Sequence, residues 1–372
     1  MACWRGLCKL CGCSGALALA GDETPPEPPS PVGSDGAESP PALPSATSAR
    51  MLLVHTASNV GIFGENIREA YDFADKDLGT GAFSSVCKAT DRSTGVHRAV
   101  KKISKTMLQS NDNLERLRKE IDISRTMNHK GINKLVGYFE DRAFVYLVLE
   151  LCNGGELFAR IVQLGCLSEP QASSLLKQVC STILYIHSRG ICHRDLKPEH
   201  VIFASLGSIE TTPVKLIDFG LSRRFTPEEV LTTSVGTPSF VAPEVLKESY
   251  TSSCDLWSFG VMVYCFLCGR LPFDGETAVE LLQKVRKARY SFEGKCWEPV
   301  SDGAKDLIRR LLLKDARKRL TAQQVLEHDW IRTGAGDSQG QPLGPLVIEN
   351  LRAYCEEMQQ ARNVLEEVKR LH

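Results

Sequence analysis

The apolar and polar positions of the chain change rhythm near residue 155. Before it, short runs such as FADKDLGTGAF, SSVCKATDR and VHRAVKKIS are bounded by turn-forming residues, DRSTG among them. That pattern predicts short strands joined by tight turns. The segment NDNLERLRKEIDISRTMN follows, with Leu114, Leu117, Ile121 and Met127 in one apolar stripe. The spacing predicts a helix, capped by Asn111 or Asp112. Two further strands, INKLVGYFED and AFVYLVLEL, complete a small, mostly antiparallel sheet. Beyond Asn153, Gly154 and Gly155 the pattern turns helical and stays so, through EPQASSLLKQVCSTILYIHSRG, CDLWSFGVMVYCFLCG, AVELLQKVRKARY, SDGAKDLIRRLLL and TAQQVLEHDWI. A sheet-bearing part followed by a helical part predicts an α+β fold of two lobes. Its cleft would lie at the glycine-bearing junction, a favoured position for a ligand.

The flanks differ. Residues 1–58 are rich in Cys at the start and in Pro, Ser and Gly after it, and TPPEPPSPVGSDGAESPPALPS has no aromatic residue. Such a stretch cannot bury enough apolar surface to offset its ordering entropy, so a disordered extension is expected. At the other end, in the linker and tail of residues 332–372, Val347, Leu351, Tyr354, Met358, Ala361, Leu365 and Val368 recur at alternating steps of four and three. This predicts a helix with one apolar seam. Over 347–371 the helix would dock on its own lobe as an inhibitory element, pair with a partner chain, or simply close the domain. Five Glu against four Lys or Arg in that span argue against a basic calmodulin-type target.

Charge adds little. With 45 basic and 45 acidic residues the formal net charge is zero, and no global field points to nucleic acid. The 14 cysteines are irregularly spaced, which predicts reduced, mostly buried thiols and a cytoplasmic protein. Cys3, Cys8, Cys11 and Cys13 are candidates for acylation, and only through them is membrane association expected. Ala2 excludes N-myristoylation at this start.

Candidate chemistry comes from ordered motifs. LGTGAFSSV bares the backbone at Gly79 and Gly81, so that amide groups can approach phosphate oxygens. Lys101 follows in HRAVKKI and Glu120 on the next helix. HRDLKPEH supplies Asp195 and Lys197, LIDFG supplies Asp218, and GTPSFVAPE closes the series. Asp255 and Arg319 read as structural residues, the latter paired with Glu244. Taken together, order and spacing resemble the eukaryotic protein kinases over roughly residues 71–331. DLKPE is similar to the Ser/Thr branch. YLVLELCNGGELFARI, EIDISRTMNHKGINKL and GTPSFVAPEVL are similar to its calcium/calmodulin-regulated group, most of all to the calcium-dependent protein kinases of plants and protists.

The resemblance implies the bilobal kinase fold and phosphoryl transfer from ATP with Mg²⁺. Leu78, Val86, Ala99 and Ile202 would enclose the adenine, with Leu149 as gatekeeper and Glu150 and Cys152 offering backbone groups at the hinge. Lys101, held by Glu120, would reach the phosphates; Asp195 would orient the attacking hydroxyl and Lys197 neutralise charge. Glu156 and Glu199 would read an Arg three residues before the target Ser or Thr, giving basic protein substrates. Thr232, Thr233 and Ser234 are candidate phosphosites that would order Arg194, unless Glu228 or Glu229 supplies the charge. The family's C-terminal extension carries EF-hands, but no segment here matches such a loop, so no direct Ca²⁺ site is expected.

The sequence departs from the pattern at two places. His200 stands where the family has a metal-binding Asn, and Mg²⁺ prefers oxygen while imidazole suits Mn²⁺ better. Ser124 occupies a helix position that is usually apolar and packs toward Phe219. With Lys101, Asp195, Lys197 and Asp218 intact, an active kinase is expected, slowed or shifted toward Mn²⁺. The rival is a pseudokinase scaffold with impaired metal binding.

Overall fold

The computed structural model describes residues 66–80, 84–108, 110–226, 228–334 and 342–370. Gly81, the first 65 residues and the four N-terminal cysteines lie outside them, as do the side chains of Leu365 and Val368. Among the described residues no helix is long and apolar enough to cross a membrane.

The upper lobe opens with a short helix, α1 (Ile67–Ala70), and five strands: β1 (Tyr71–Thr80), β2 (Ser84–Asp91), β3 (His97–Ser104), β4 (Leu135–Glu140) and β5 (Phe144–Glu150). They form one antiparallel sheet in the order β1-β2-β3-β5-β4. The DRSTG turn forms because the Asp91 carboxylate accepts the Ser93 and Thr94 amides at 2.9 and 3.1 Å. Helix α2 (Asn111–Thr126) packs on this sheet. Ser110, not Asn111 or Asp112, caps it, accepting the Asn113 amide at 3.3 Å. The helix starts one residue earlier than its apolar stripe suggests, so both proposed caps fall inside its first turn. Leu117 and Ile121 join Ile103, Leu135, Tyr138, Val145 and Leu147 in the upper core, whereas Ile123 and Met127 belong to the lower one.

The lower lobe is helical: α3 (Leu157–Leu164), α4 (Glu169–Ser188), α5 (Ser253–Cys268), α6 (Ala278–Lys287), α7 (Asp302–Leu311), α8 (Ala322–Glu327), α9 (Asp329–Thr333) and α10 (Pro345–Arg370). Short strand pairs, β6 (Ile191–Cys192) with β9 (Arg223–Arg224) and β7 (Val201–Phe203) with β8 (Val214–Leu216), lie beneath the cleft. Helix α5 is apolar on every side and buried over Cys254–Cys268, as expected of a helix surrounded by protein. Arg319 donates to both oxygens of Glu244, at 2.6 and 3.1 Å, and to the Ser253 and Leu313 carbonyls. The predicted pair is therefore present.

Helix α10 runs back over the lower lobe. Val347, Leu351 and Tyr354 are buried and Met358 packs at their edge, so this part of the predicted seam faces its own lobe. The approach is close at Gly269, whose φ is +74° and where a Cβ would lie 2.6 Å from the Val347 carbonyl oxygen and 2.9 Å from the Leu351 nitrogen. Only glycine fits that backbone and that gap. Asn350 then donates to the Cys268 carbonyl at 2.9 Å.

Glu244→Ala should destabilise the fold by about 3–5 kcal/mol, because it leaves a buried guanidinium without its counter-charge. Chemical denaturation would measure this. A loss below about 1 kcal/mol would show that the Arg319 pair is not a structural anchor.

Candidate active site

The cleft residues are placed by the sheet register. Val86 lies opposite Lys101 on β3 and opposite Gly79 on β1, and Ala99 lies opposite Leu149 on β5. Ile202 bridges to Glu156 across the junction. Ala99 is buried and Val86, Leu149, Cys152 and Ile202 are half-buried, whereas Leu78 is 55% exposed. Glu150 donates its amide to the Lys134 carbonyl at 2.9 Å, and its carboxylate accepts from Lys215 Nζ at 2.9 Å. Its side chain is thus tied down beside the junction.

Below the sheet, Lys101 Nζ donates to Glu120 Oε1 at 2.7 Å and stands 3.9 Å from Asp218 Oδ1. Burial opposes the ammonium, but the two carboxylates outweigh it and raise the Lys101 pKa. Asp218 has φ +61° and accepts the Gly220 amide at 3.1 Å. Burial raises its pKa and Lys101 with His200 lowers it further, so the net direction is down. A Cβ on Gly220 would come within 3.0 Å of Asp218 Oδ1, so the glycine lets the carboxylate turn back on its own loop.

Asp195 is fixed from the opposite side. Its Oδ1 accepts the Thr237 amide at 2.9 Å and the Thr237 hydroxyl at 2.7 Å. Lys197 Nζ sits 3.2 Å from Oδ2 and 3.0 Å from Thr237 Oγ1. Burial pushes the Asp195 pKa up, but the Lys197 ammonium, His200 and the Thr237 hydroxyl bond together pull it down by more, and the carboxylate stays ionised. The loop beneath is held by Asp255, which is fully buried and accepts the His193 and Arg194 amides and His187 Nε2, each at 2.8 Å.

His200 lies between the two aspartates. Its Nδ1 is 2.8 Å from the Asp195 carbonyl oxygen, and its Nε2 is 3.6 Å from Asp218 Oδ2. Burial first, and Lys197 second, lower its pKa and favour the neutral ring. A carboxylate oxygen and a ring nitrogen facing one another make a donor set that fits a divalent metal ion.

The activation-loop residues are arranged differently from expectation. Thr232 and Thr233 are exposed but Ser234 is buried, so it is poorly placed for modification. Arg194 donates to the Leu221 carbonyl at 2.6 Å and to the Tyr250 hydroxyl at 3.3 Å, and Tyr250 donates to the Thr233 carbonyl at 2.7 Å. Glu229 meets Arg223 at 2.7 Å rather than Arg194, and Glu228 is exposed.

Glu156 and Glu199 both face α10. Arg362 grips Glu156 with two bonds, Nη1 to Oε1 at 2.5 Å and Nη2 to Oε2 at 3.2 Å. The Tyr354 hydroxyl donates to Glu199 Oε1 at 2.9 Å, and burial raises the Glu199 pKa. The two acids line a cavity of about 480 Å³ between α3 and α10.

The protein kinase domain family matches residues 73–331. This chain belongs to the protein kinase family. The kinase domain is also similar to calcium-dependent protein kinase 3 of Plasmodium yoelii yoelii, 42% identical over 295 residues that make up 79% of this chain and 54% of the relative. Calcium-dependent protein kinase 27 of Oryza sativa subsp. japonica is 43% identical over 78% of this chain and 47% of its own length. A probable myosin light chain kinase of Dictyostelium discoideum is 40% identical over 78% of this chain and 73% of its own length. The chain thus spans about half the length of the calcium-dependent relatives it matches.

The kinase domain brings together Lys101, Glu120, Asp195, Lys197, His200 and Asp218 as the motif order suggested. Two residues escaped sequence reasoning. Thr237 lies inside GTPSFVAPE, a motif noticed only as a boundary, and Tyr250 lies in no motif. Tyr250→Phe should free the Thr233 carbonyl and one side of Arg194. Limited proteolysis should then cut near residues 226–237 several-fold faster, while far-UV circular dichroism stays unchanged. An unaltered cleavage rate would mean that Tyr250 does not secure the loop.

Proposed function

We propose that this kinase domain transfers the γ-phosphoryl group of ATP to Ser or Thr hydroxyls of proteins with an Arg three residues before the target. The observation supporting this most is the intact Lys101–Glu120 pair beside Asp218, with Asp195 held 3.2 Å from Lys197. Phosphoryl transfer needs positioning and charge neutralisation more than covalent help from the protein. Lys101 is aimed to hold the α- and β-phosphates. Asp195, kept ionised and oriented by Thr237, accepts the hydroxyl proton as the substrate oxygen bonds to the γ-phosphorus and the bond from that phosphorus to the β–γ bridging oxygen breaks, releasing ADP. Lys197 offsets negative charge on the group in transfer. Asp218 and His200 are the residues that would hold the metal, which when bound neutralises phosphate charge. Leu78, Val86, Ala99, Leu149 and Ile202 supply the apolar walls for the adenine, with the backbone at Glu150 and Cys152 as its polar edge.

The substrate reading rests on Glu156 and Glu199, and α10 supports it. Arg362 presents a guanidinium to Glu156 in the two-pronged geometry that a substrate Arg would use. Helix α10 therefore competes with basic substrates for that carboxylate, which favours the inhibitory reading of the tail over pairing with another chain. The Arg194–Tyr250–Thr233 link ties the activation loop without a phosphate group, which supports activity without phosphorylation of Thr232 or Thr233.

The purified chain should phosphorylate an Arg-x-x-Ser peptide, and Asp195→Asn should abolish this. Failure of transfer with both Mg²⁺ and Mn²⁺ would favour the scaffold reading instead. Arg362→Ala should lower KM for that peptide. The pair is 39% exposed on each side, so a contribution of up to about 1 kcal/mol, or about fivefold, is expected. An unchanged KM would mean that Arg362 does not compete for Glu156. Truncation after Thr333 should raise activity further; a fall with the fold retained would overturn the inhibitory role of α10.

A further inference from the structure

His200 departs from the family pattern, and its surroundings say how it would behave toward a metal. A carbonyl oxygen can only accept, so the 2.8 Å contact to the Asp195 carbonyl places the ring proton on Nδ1. The other ring nitrogen, Nε2, then presents a lone pair toward Asp218 Oδ2 at 3.6 Å. Metal-ligating histidines are oriented in this way: one nitrogen donates to a backbone carbonyl and the other is offered to the ion. Two ligand atoms each about 2.1 Å from one ion stand about 3.0–3.4 Å apart for octahedral or tetrahedral angles. The observed separation needs only a slight closing of the two side chains. Asp218 turns its other oxygen, Oδ1, toward Lys101 and Gly220, so Oδ2 is the atom directed at His200.

We propose that His200 Nε2 and Asp218 Oδ2 form a mixed nitrogen–oxygen site that selects a first-row transition-metal ion, Mn²⁺ in the first instance, over Mg²⁺. The chemistry is one of donor type. Mg²⁺ takes oxygen ligands and gives up water reluctantly, whereas imidazole suits transition ions and binds them increasingly well along the series from Mn²⁺ to Cu²⁺. An Asn at this position would offer an oxygen and no such preference. The proposal rests on the nucleotide-binding reading of the cleft, and its test separates the two.

The full chain is loaded with a non-hydrolysable ATP analogue, whose retention is measured independently by calorimetry. Mn²⁺ is then added, and electron spin-echo spectroscopy reads coupling to a directly bonded ¹⁴N. Coupling is expected in the native protein and should vanish in His200→Asn. The same substitution should lower the Mn²⁺-over-Mg²⁺ affinity ratio by about tenfold or more, since even outer-shell changes cost metal sites that much. Bound Mn²⁺ with no ¹⁴N coupling would overturn the proposal, and so would an affinity ratio that His200→Asn leaves unchanged. Absent retention of the analogue would defeat the nucleotide reading and the metal site with it, whereas analogue retained without Mn²⁺ would defeat the metal site alone.

Discussion

The buried carboxylate of Asp255 is the constraint on which the lower half of the cleft depends. It sits near the start of α5, within its first turn, and accepts two backbone amides from the loop carrying Asp195 and one imidazole from α4. An ionised carboxylate without partners would be too costly at such depth; three donors satisfy it. The favourable position near a helix N-terminus adds to this. Consequently the loop is fastened to a helix buried along its length, and the geometry of Asp195, Lys197 and His200 is set from that anchor.

Much of the fold was legible because its elements follow simple periods. The strands of the upper lobe are short and bounded by turn chemistry, and the lower helices have long apolar stripes. The errors lie where a local contact decides. Ser110 outcompetes Asn111 and Asp112 as cap because a cap must precede the first helical turn, and spacing alone locates that turn only within a residue or so. The side-chain pairings Lys101–Glu120 and Arg319–Glu244 were legible because motif order fixes both partners. Thr237 and Tyr250 were not, since each acts on a residue far away in sequence, and no local pattern records such a meeting. The destination of Glu229, paired with Arg223 rather than Arg194, was hidden for the same reason.

The tail shows how one helix reads differently before and after packing is known. Its seam of apolar residues fitted a partner chain as well as its own lobe. Tyr354 and Leu351 are buried against the lower core, while the polar side chains Asn350 and Arg362 find partners in the Cys268 carbonyl and Glu156. Burial alone would allow the helix to slide by a turn. These polar contacts set its register along the lobe, and the missing side chain at Gly269 sets its depth.

Helix α2 divides its apolar side chains between two cores, Leu117 and Ile121 above and Ile123 and Met127 below. It is therefore the rivet between the lobes. Any widening of the cleft must either drag the lower turn of α2 out of its oily seat or tear the upper turn from the sheet. Breathing of the two halves should thus be sheared across this one helix, and amide hydrogen exchange along it would be uneven, slow toward one end and fast toward whichever end yields first.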